Sequence, residues 1–394
     1  MKSKTNTIIN TGKKELLVAM VELATSYDLG IACWRKPNKS ITTVQIGDVQ
    51  SFKPSELENM KNAFVFCPYD ENQEGKALVS KLTVHIDNEQ VSIDSISEST
   101  LVDELEKCVS KKTSTTNFYF GENSNLNDPS RGEFDNYVNS GIEAIRSAKF
   151  EKVVPARFKN LQLPAGFDPI DTFDQLCSRY SNAFISLLSL PEVGTWIGAT
   201  PEALISISED NMFSTVALAG TQRYNEETPI SEVAWTQKEI EEQALVSRYI
   251  INCFKKIRLR EFTEIGPKTV VAGNLMHLKT SYTVDMEATK FPLLGSVMLE
   301  LLHPTSAVCG MPKEPASEFI KQYEGDRRGF YSGYLGPVNV QNETAIFVNL
   351  RCMQLHDKSA TLYAGAGLTE DSIPEKEWLE TEMKMNTLLS VIKP

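Results

Sequence analysis

AFISLLSL (183–190), GTWIGAT (194–200), EALISIS (202–208) and FSTVALAGT (213–221) follow one another with only a few residues between them. Each is short, apolar and rich in β-branched or aromatic residues, which predicts strands. No helix fits into the gaps, so the pairing must be antiparallel, because a parallel connection needs a dozen or more residues. Working outward, GFYSGYLGPV (329–338), AIFVNLRCMQL (345–355) and ATLYAGAGL (360–368) read as further strands. TVVAGNLMHLKTSYTVDM (269–286) is a strand region, and LHPTSAVCGMPK (302–313) follows a helix at Gly295–Leu302. Helical spacing marks Glu133–Ala148, Pro169–Tyr180, Lys238–Ile257 and Pro374–Ile392. Between the first two, FEKVVPARF (150–158) is a strand that Pro155 must end or place at an edge. Groups of strands separated by isolated long helices predict an α+β fold, antiparallel sheets in a layered core flanked by helices.

Two of those helices carry glutamates three residues apart. At about 100° per residue, Glu239 and Glu242 align with Val246, Ile250, Cys253 and Ile257, while Glu377 and Glu380 align with Lys384, Leu388 and Val391. A carboxylate on an inward stripe is costly unless it is paired, hydrogen-bonded or bound to a cation. Four of them predict a hard divalent metal with oxygen ligands, and Mg²⁺, which keeps waters and accepts substrate oxygens, suits such a set.

Residues 1–115 mix short apolar runs such as LGIACW (29–34) and NAFVFCPY (62–69) with turn clusters and carry no chemical motif. Ser110–Arg131 is rich in Ser, Thr, Asn and Gly and marks a boundary, so residues 1–115 are expected to complete the sheets around a catalytic region at 116–394, in one compact domain. The formal charge of −12 argues against a nucleic-acid partner or an anionic membrane surface. Neither a secretion signal nor a membrane span is read in the sequence, and seven scattered cysteines fit reduced thiols, so a cytoplasmic protein is expected. Without a coiled-coil seam, a monomer is expected.

KVVPAR (152–157), TPEALIS (200–206), ALAGTQR (217–223), LMHLKTS (275–281), HPTSAVCGMPK (303–313), EGDRRGFYSG (324–333), NLRCM (349–353), AGAG (364–367) and the acidic run Glu370–Glu380 occur in that order. This succession resembles the chorismate-utilising enzymes, which include isochorismate synthase, salicylate synthase, anthranilate synthase component I and aminodeoxychorismate synthase component I. The resemblance implies that Lys152 activates water against C2 of chorismate and that Glu202 protonates the departing C4 hydroxyl. It makes Glu242 and Glu380 direct Mg²⁺ ligands, with Glu239 and Glu377 holding metal-bound waters. Arg351 would grip a substrate carboxylate, for which its planar fork is suited. Tyr331, Gly367 and Lys384 would add carboxylate contacts, Gly365 a bare backbone N–H, and Gly220, Thr221 and His277 would line the same cavity. Gln243 departs from the family, whose members mostly have histidine after the ligand glutamate.

Two small residues select among the family's reactions. Ala219 stands where aminodeoxychorismate synthases often carry a nucleophilic lysine, so covalent capture of C2 is unavailable. Ala307 stands where salicylate, anthranilate and aminodeoxychorismate synthases usually have threonine and isochorismate synthases have alanine. The expectation is therefore isochorismate synthase, a Mg²⁺-dependent isomerase, with salicylate synthase and an anthranilate synthase component I-like enzyme as the alternatives. Whether the product serves menaquinone, a siderophore or salicylate is not encoded in these motifs.

Overall fold

A computed structural model describes residues 11–88, 90–94, 97–111, 117–121, 128–224, 229–272 and 275–392. Sixteen strands among them form one antiparallel sheet. Its path runs from Thr263–Ala272 through Leu275–Asp285, Met212–Arg223, Ala203–Ile207, Thr344–Val348 and Tyr334–Val338. It continues through Ala63–Cys67, Gly75–Asp87, Thr42–Phe52 and Gly30–Arg35, then Phe184–Leu190, Gly194–Thr200, Cys352–Leu355 and Ser359–Gly365, to the edge strand Ala156–Gln162. Four strands from the first hundred residues thus sit in the middle of the path. The boundary placed near residue 115 lies outside the described residues.

The sheet folds over on itself, because side chains far apart along the path meet face to face. Phe184 stacks on Phe347 at 4.1 Å between ring centroids, Phe64 stacks on Phe184 at 6.4 Å, and Trp34 lies 5.1 Å from Phe64. Strands Phe184–Leu190 and Gly194–Thr200 are therefore buried on both faces, which explains their unbroken apolar runs. Helices cover the outer faces. Lys13–Ser26, Pro169–Arg179 and Pro374–Ile392 pack through Leu16, Phe173 and Leu388 on one half, while Gln237–Lys256 and Leu294–Leu302 pack through Ile250 and Leu299 on the other. The result is a four-layered α+β fold, with the layering made by one continuous sheet. Among the described residues, no helix is long and apolar enough to cross a membrane.

The predicted helices are present within two residues of their expected ends, with caps that explain their starts. Ser130 accepts from Glu133 N while Glu133 accepts from Ser130 N, and Thr236 and Glu239 form the same reciprocal box at the start of Gln237–Lys256. FEKVVPARF breaks at Pro155: Lys152–Val153 pairs with Gly310–Met311, and only Ala156–Gln162 joins the large sheet, at its edge. GFYSGYLGPV is a strand only from Tyr334 onward.

Candidate active site

The site forms where two neighbouring chain passes leave one half of the sheet for the other. Gly194–Thr200 pairs with Cys352–Leu355, but the chain then crosses at Pro201–Glu202, and Ala203–Ile207 pairs with Thr344–Val348. The neighbouring segment of the same chain crosses at Asn349–Arg351. Hydrogen bonds from Val348 N to Glu202 O (3.0 Å) and from Ala199 N to Arg351 O (3.0 Å) tie the two crossings together. Glu202 and Arg351 both face a cavity of about 280 Å³. Arg351 has φ 49°, a left-handed conformation uncommon for a long side chain and of the kind retained at functional sites.

Lys152 lines the same cavity and is 5% exposed. Room for it depends on Gly367, where a Cβ atom would stand 3.2 Å from Lys152 Cε and 3.6 Å from Nζ. Gly365 is crowded on another side, by Pro155 O at 3.0 Å and the Tyr331 hydroxyl at 3.1 Å from a Cβ placed there. Tyr331 is held flat against Tyr363 at 5.3 Å, and burial raises its hydroxyl pKa to about 12, so it remains a hydrogen-bond donor.

Burial pushes the Glu202 carboxyl up to about 7, against the opposing pull of Lys152, Thr305, Lys384 and Arg351. Part of its surface is accessible, but that part faces the cavity while protein encloses the group on all sides. Thr305 Oγ1 lies 3.4 Å from Glu202 Oε1 and also 3.3 Å from Ala307 N, which connects the acid to the turn carrying Ala307. His277 is pushed down to about 4, chiefly by burial and further by Arg351 and Lys384. It is neutral at pH 7. Its Nδ1 lies 2.9 Å from Gly220 O, a carbonyl that can only accept, so Nδ1 carries the proton.

The four glutamates do not behave alike. Glu239, Glu242 and Glu380 line the cavity, whereas Glu377 is buried behind it, 2% exposed. Glu239 Oε2 accepts from Thr236 N, Thr236 Oγ1 and Gln222 Nε2 at 2.8–2.9 Å, so that oxygen is committed to capping the helix. Burial and the neighbouring Glu380 charge push Glu377 up, and its Oε2 is buried without a hydrogen-bond partner. Lysines approach both: Lys238 Nζ is 3.7 Å from Glu377 Oε1, and Lys384 Nζ is 2.6 Å from Glu380 Oε1 and 2.8 Å from Gly365 O. Among the described residues no three His, Cys, Asp or Glu side chains are drawn together as a metal cage. The donor set nonetheless fits a hard divalent cation, since it is all carboxylate oxygen and includes one orphaned buried oxygen beside a like charge.

Thus Lys152, Glu202, Gly220, Glu239, Glu242, His277, Ala307, Tyr331, Arg351, Gly365, Gly367, Glu380 and Lys384 converge on one cavity from across the chain. Glu377 stands just outside its wall. The side chain of Thr221 lies outside the described residues. Gln243 is fully buried on the inner face of its helix, donating to Thr280 Oγ1 at 2.9 Å and Ala217 O at 3.2 Å, so it fastens the glutamate helix to the sheet. The sequence reading missed Thr305 and Lys238. Thr305 sits in PTSAVCG, and its side-chain oxygen two residues before Ala307 is a turn signal. Lys238, in the first turn of its helix, carries no sequence signal that separates it from a solvated lysine.

A family model described as "Chorismate binding enzyme" matches residues 34–393. The chain is 25% identical over 268 residues to isochorismate synthase EntC of Escherichia coli strain K12, covering 67% of this chain and 68% of that one. It is 29% identical over 276 residues to salicylate synthase of Mycolicibacterium paratuberculosis, covering 67% and 58%. The fold matches the crystal structure of a putative 2,3-dihydroxybenzoate-specific isochorismate synthase, DhbC, from Bacillus anthracis with a TM-score of 0.72 at 21% identity, covering 95% of this chain and 99% of that one.

Proposed function

Because the chain belongs to the chorismate-binding enzyme family, we propose that it is a Mg²⁺-dependent isochorismate synthase, converting chorismate reversibly to isochorismate. The observation that supports this reading is that a buried lysine and a carboxyl group that keeps a large protonated fraction at neutral pH line the same cavity. Lys152 accepts a proton from water attacking C2, the ring double bonds shift, and Glu202 gives its proton to the C4 hydroxyl as that group leaves as water. Water enters and water departs, so no redox partner or second substrate is consumed. In the return direction Glu202 is the base and Lys152 the acid.

Arg351, whose guanidinium has no hydrogen bond to a described residue, has its fork free for a substrate carboxylate. Neutral His277 lines the ring's side of the cavity without adding charge. Glu242 and Glu380, with Glu377 behind them, would hold the cation, which when bound supplies a positive anchor for the second carboxylate. Ala219 presents no nucleophile to C2, and Ala307 presents a methyl group where a hydroxyl could assist loss of the pyruvyl arm.

Salicylate synthase is the second reading, supported by the mycobacterial relative at 29% identity. Incubating the pure protein with chorismate and Mg²⁺ and separating the products by chromatography distinguishes the two. Isochorismate without pyruvate supports the proposal; salicylate and pyruvate in equal amounts would replace it with the second reading.

A further inference from the structure

A second chamber of about 270 Å³ adjoins the catalytic cavity. The two share Pro201, His277, Arg351 and Lys384, so a molecule in one borders the other directly. Arg223, Asn182 and Tyr224 extend its lining, and among the described residues the chamber has no Asp or Glu. With His277 neutral and Lys384 paired with Glu380, its uncompensated charge comes from Arg223 and Arg351. Arg223 ends the strand Met212–Arg223 just past an irregularity between Ala219 and Gln222, of the kind that re-aims a side chain. It is exposed, and its side chain makes no hydrogen bond or ion pair with another described residue.

The cavity also borders a wide cleft on the opposite side of the helix Gln237–Lys256, shared through Lys238 and Glu242. With Glu242 set aside for the cation, Glu151, Glu241, Glu370 and Asp371 there still outnumber Lys149, Lys238 and Arg248, so the net charge is negative. A small dianion meets attraction at one opening and repulsion at the other. Narrow, low-dielectric walls concentrate such a difference, and charges act over a Debye length of about 8 Å at physiological salt.

We propose that the anionic substrate enters by the basic chamber and that Arg223 captures it there and delivers it to Arg351. This rests on the site being one for a chorismate-like dicarboxylate. Arg223 acts before chemistry and is spent when the substrate reaches the cavity, so its contribution belongs to the association rate.

The test is stopped-flow fluorescence of chorismate association in the Lys152→Ala protein, where turnover cannot intervene, over a range of ionic strength. Arg223→Glu is expected to lower the association rate constant about tenfold or more at low salt. Arg223→Gln should fall between that and the parent, and all three should converge at high salt. Glu241→Gln, in the acidic cleft, should associate like the parent. Equal rates for the parent and both Arg223 variants at every salt concentration, or a larger change for Glu241→Gln than for Arg223→Gln, would overturn the inference while leaving the catalytic reading intact. A parent protein that takes up no chorismate would sink both.

Discussion

Arg328 and Glu324 form a buried ion pair (2.7 Å from Nε to Oε2) that clamps the two segments carrying Lys152 and Ala307. Arg328 donates through Nη2 to Val154 O at 2.6 Å and through Nη1 to Val308 O at 2.7 Å, while Glu324 Oε1 accepts from Ala156 N at 2.9 Å and Tyr137 Oη at 2.8 Å. Arg328→Met would leave Glu324 as an uncompensated buried charge. Urea unfolding should show a loss of about 3–5 kcal/mol. Tyr137→Phe removes one donor to that carboxylate and should cost about 1.5–3 kcal/mol with kcat nearly unchanged.

Glu202 sets a pH-dependent conflict between stability and function. Its folded pKa, about 7, lies above the ordinary carboxylate value, so the folded state holds this proton more tightly than the unfolded chain. Its favourable contribution is complete below the unfolded value and is lost as pH rises through about 7, where the buried carboxylate must bear charge. Glu202→Gln should therefore match the parent's melting temperature near pH 4 and exceed it by about 1–2 °C at pH 8, while activity is abolished. A Glu202→Gln protein that loses stability at pH 8 relative to the parent would refute this assignment.

Much of the architecture is legible in the sequence, because periodicities of two and of 3.6 are local properties. The run from Ala183 to Thr221 reported antiparallel strands, and the stripes beneath Glu242 and Glu380 reported buried helix faces. What escaped has physical reasons. The N-terminal strands sit mid-sheet, yet a strand's partner is chosen by packing across the fold rather than by nearby residues. Helix Lys313–Glu324 was not read because Pro315 interrupts its beginning; it lies in the first turn, where a missing N–H leaves no bond unmade. Glu239 looked like a ligand on the helical wheel, but Thr236 three residues earlier is a capping signal that accounts for one of its oxygens.

Arg351 combines a left-handed backbone with a half-buried guanidinium that lines the cavity and has no hydrogen bond to a described residue. Arg351→Gly should raise the melting temperature, as backbone strain worth about 1–3 kcal/mol is relieved. The same change should lower kcat/KM by a factor corresponding to about 2–5 kcal/mol, since a charged substrate group loses its partner.

Mg²⁺ should bind where Glu380 and Glu377 repel one another. Calorimetric titration of the parent should give one site per chain, and saturation at a hundred times Kd should stabilise the fold by about 2.7 kcal/mol, reversed by EDTA. Glu380→Gln should abolish the heat of binding. Glu239→Gln should retain much of it, because one of that residue's oxygens serves the helix cap.

Ala307 offers a test of product choice. Ala307→Thr should bring pyruvate release above the parent's background, detectable with lactate dehydrogenase and NADH. Equal pyruvate release from the parent and the variant would remove Ala307 as the selector.

Hydroxyl exchange by external water is the centre of the account, and turnover of chorismate in H₂¹⁸O with Mg²⁺ tests it most directly. Mass spectrometry of early product should find isochorismate carrying one ¹⁸O, placed at C2 by NMR, with no incorporation by Lys152→Ala. Isochorismate bearing only ¹⁶O from the same reaction would mean that the hydroxyl migrates within the substrate, and the roles given to Lys152 and Glu202 would be wrong.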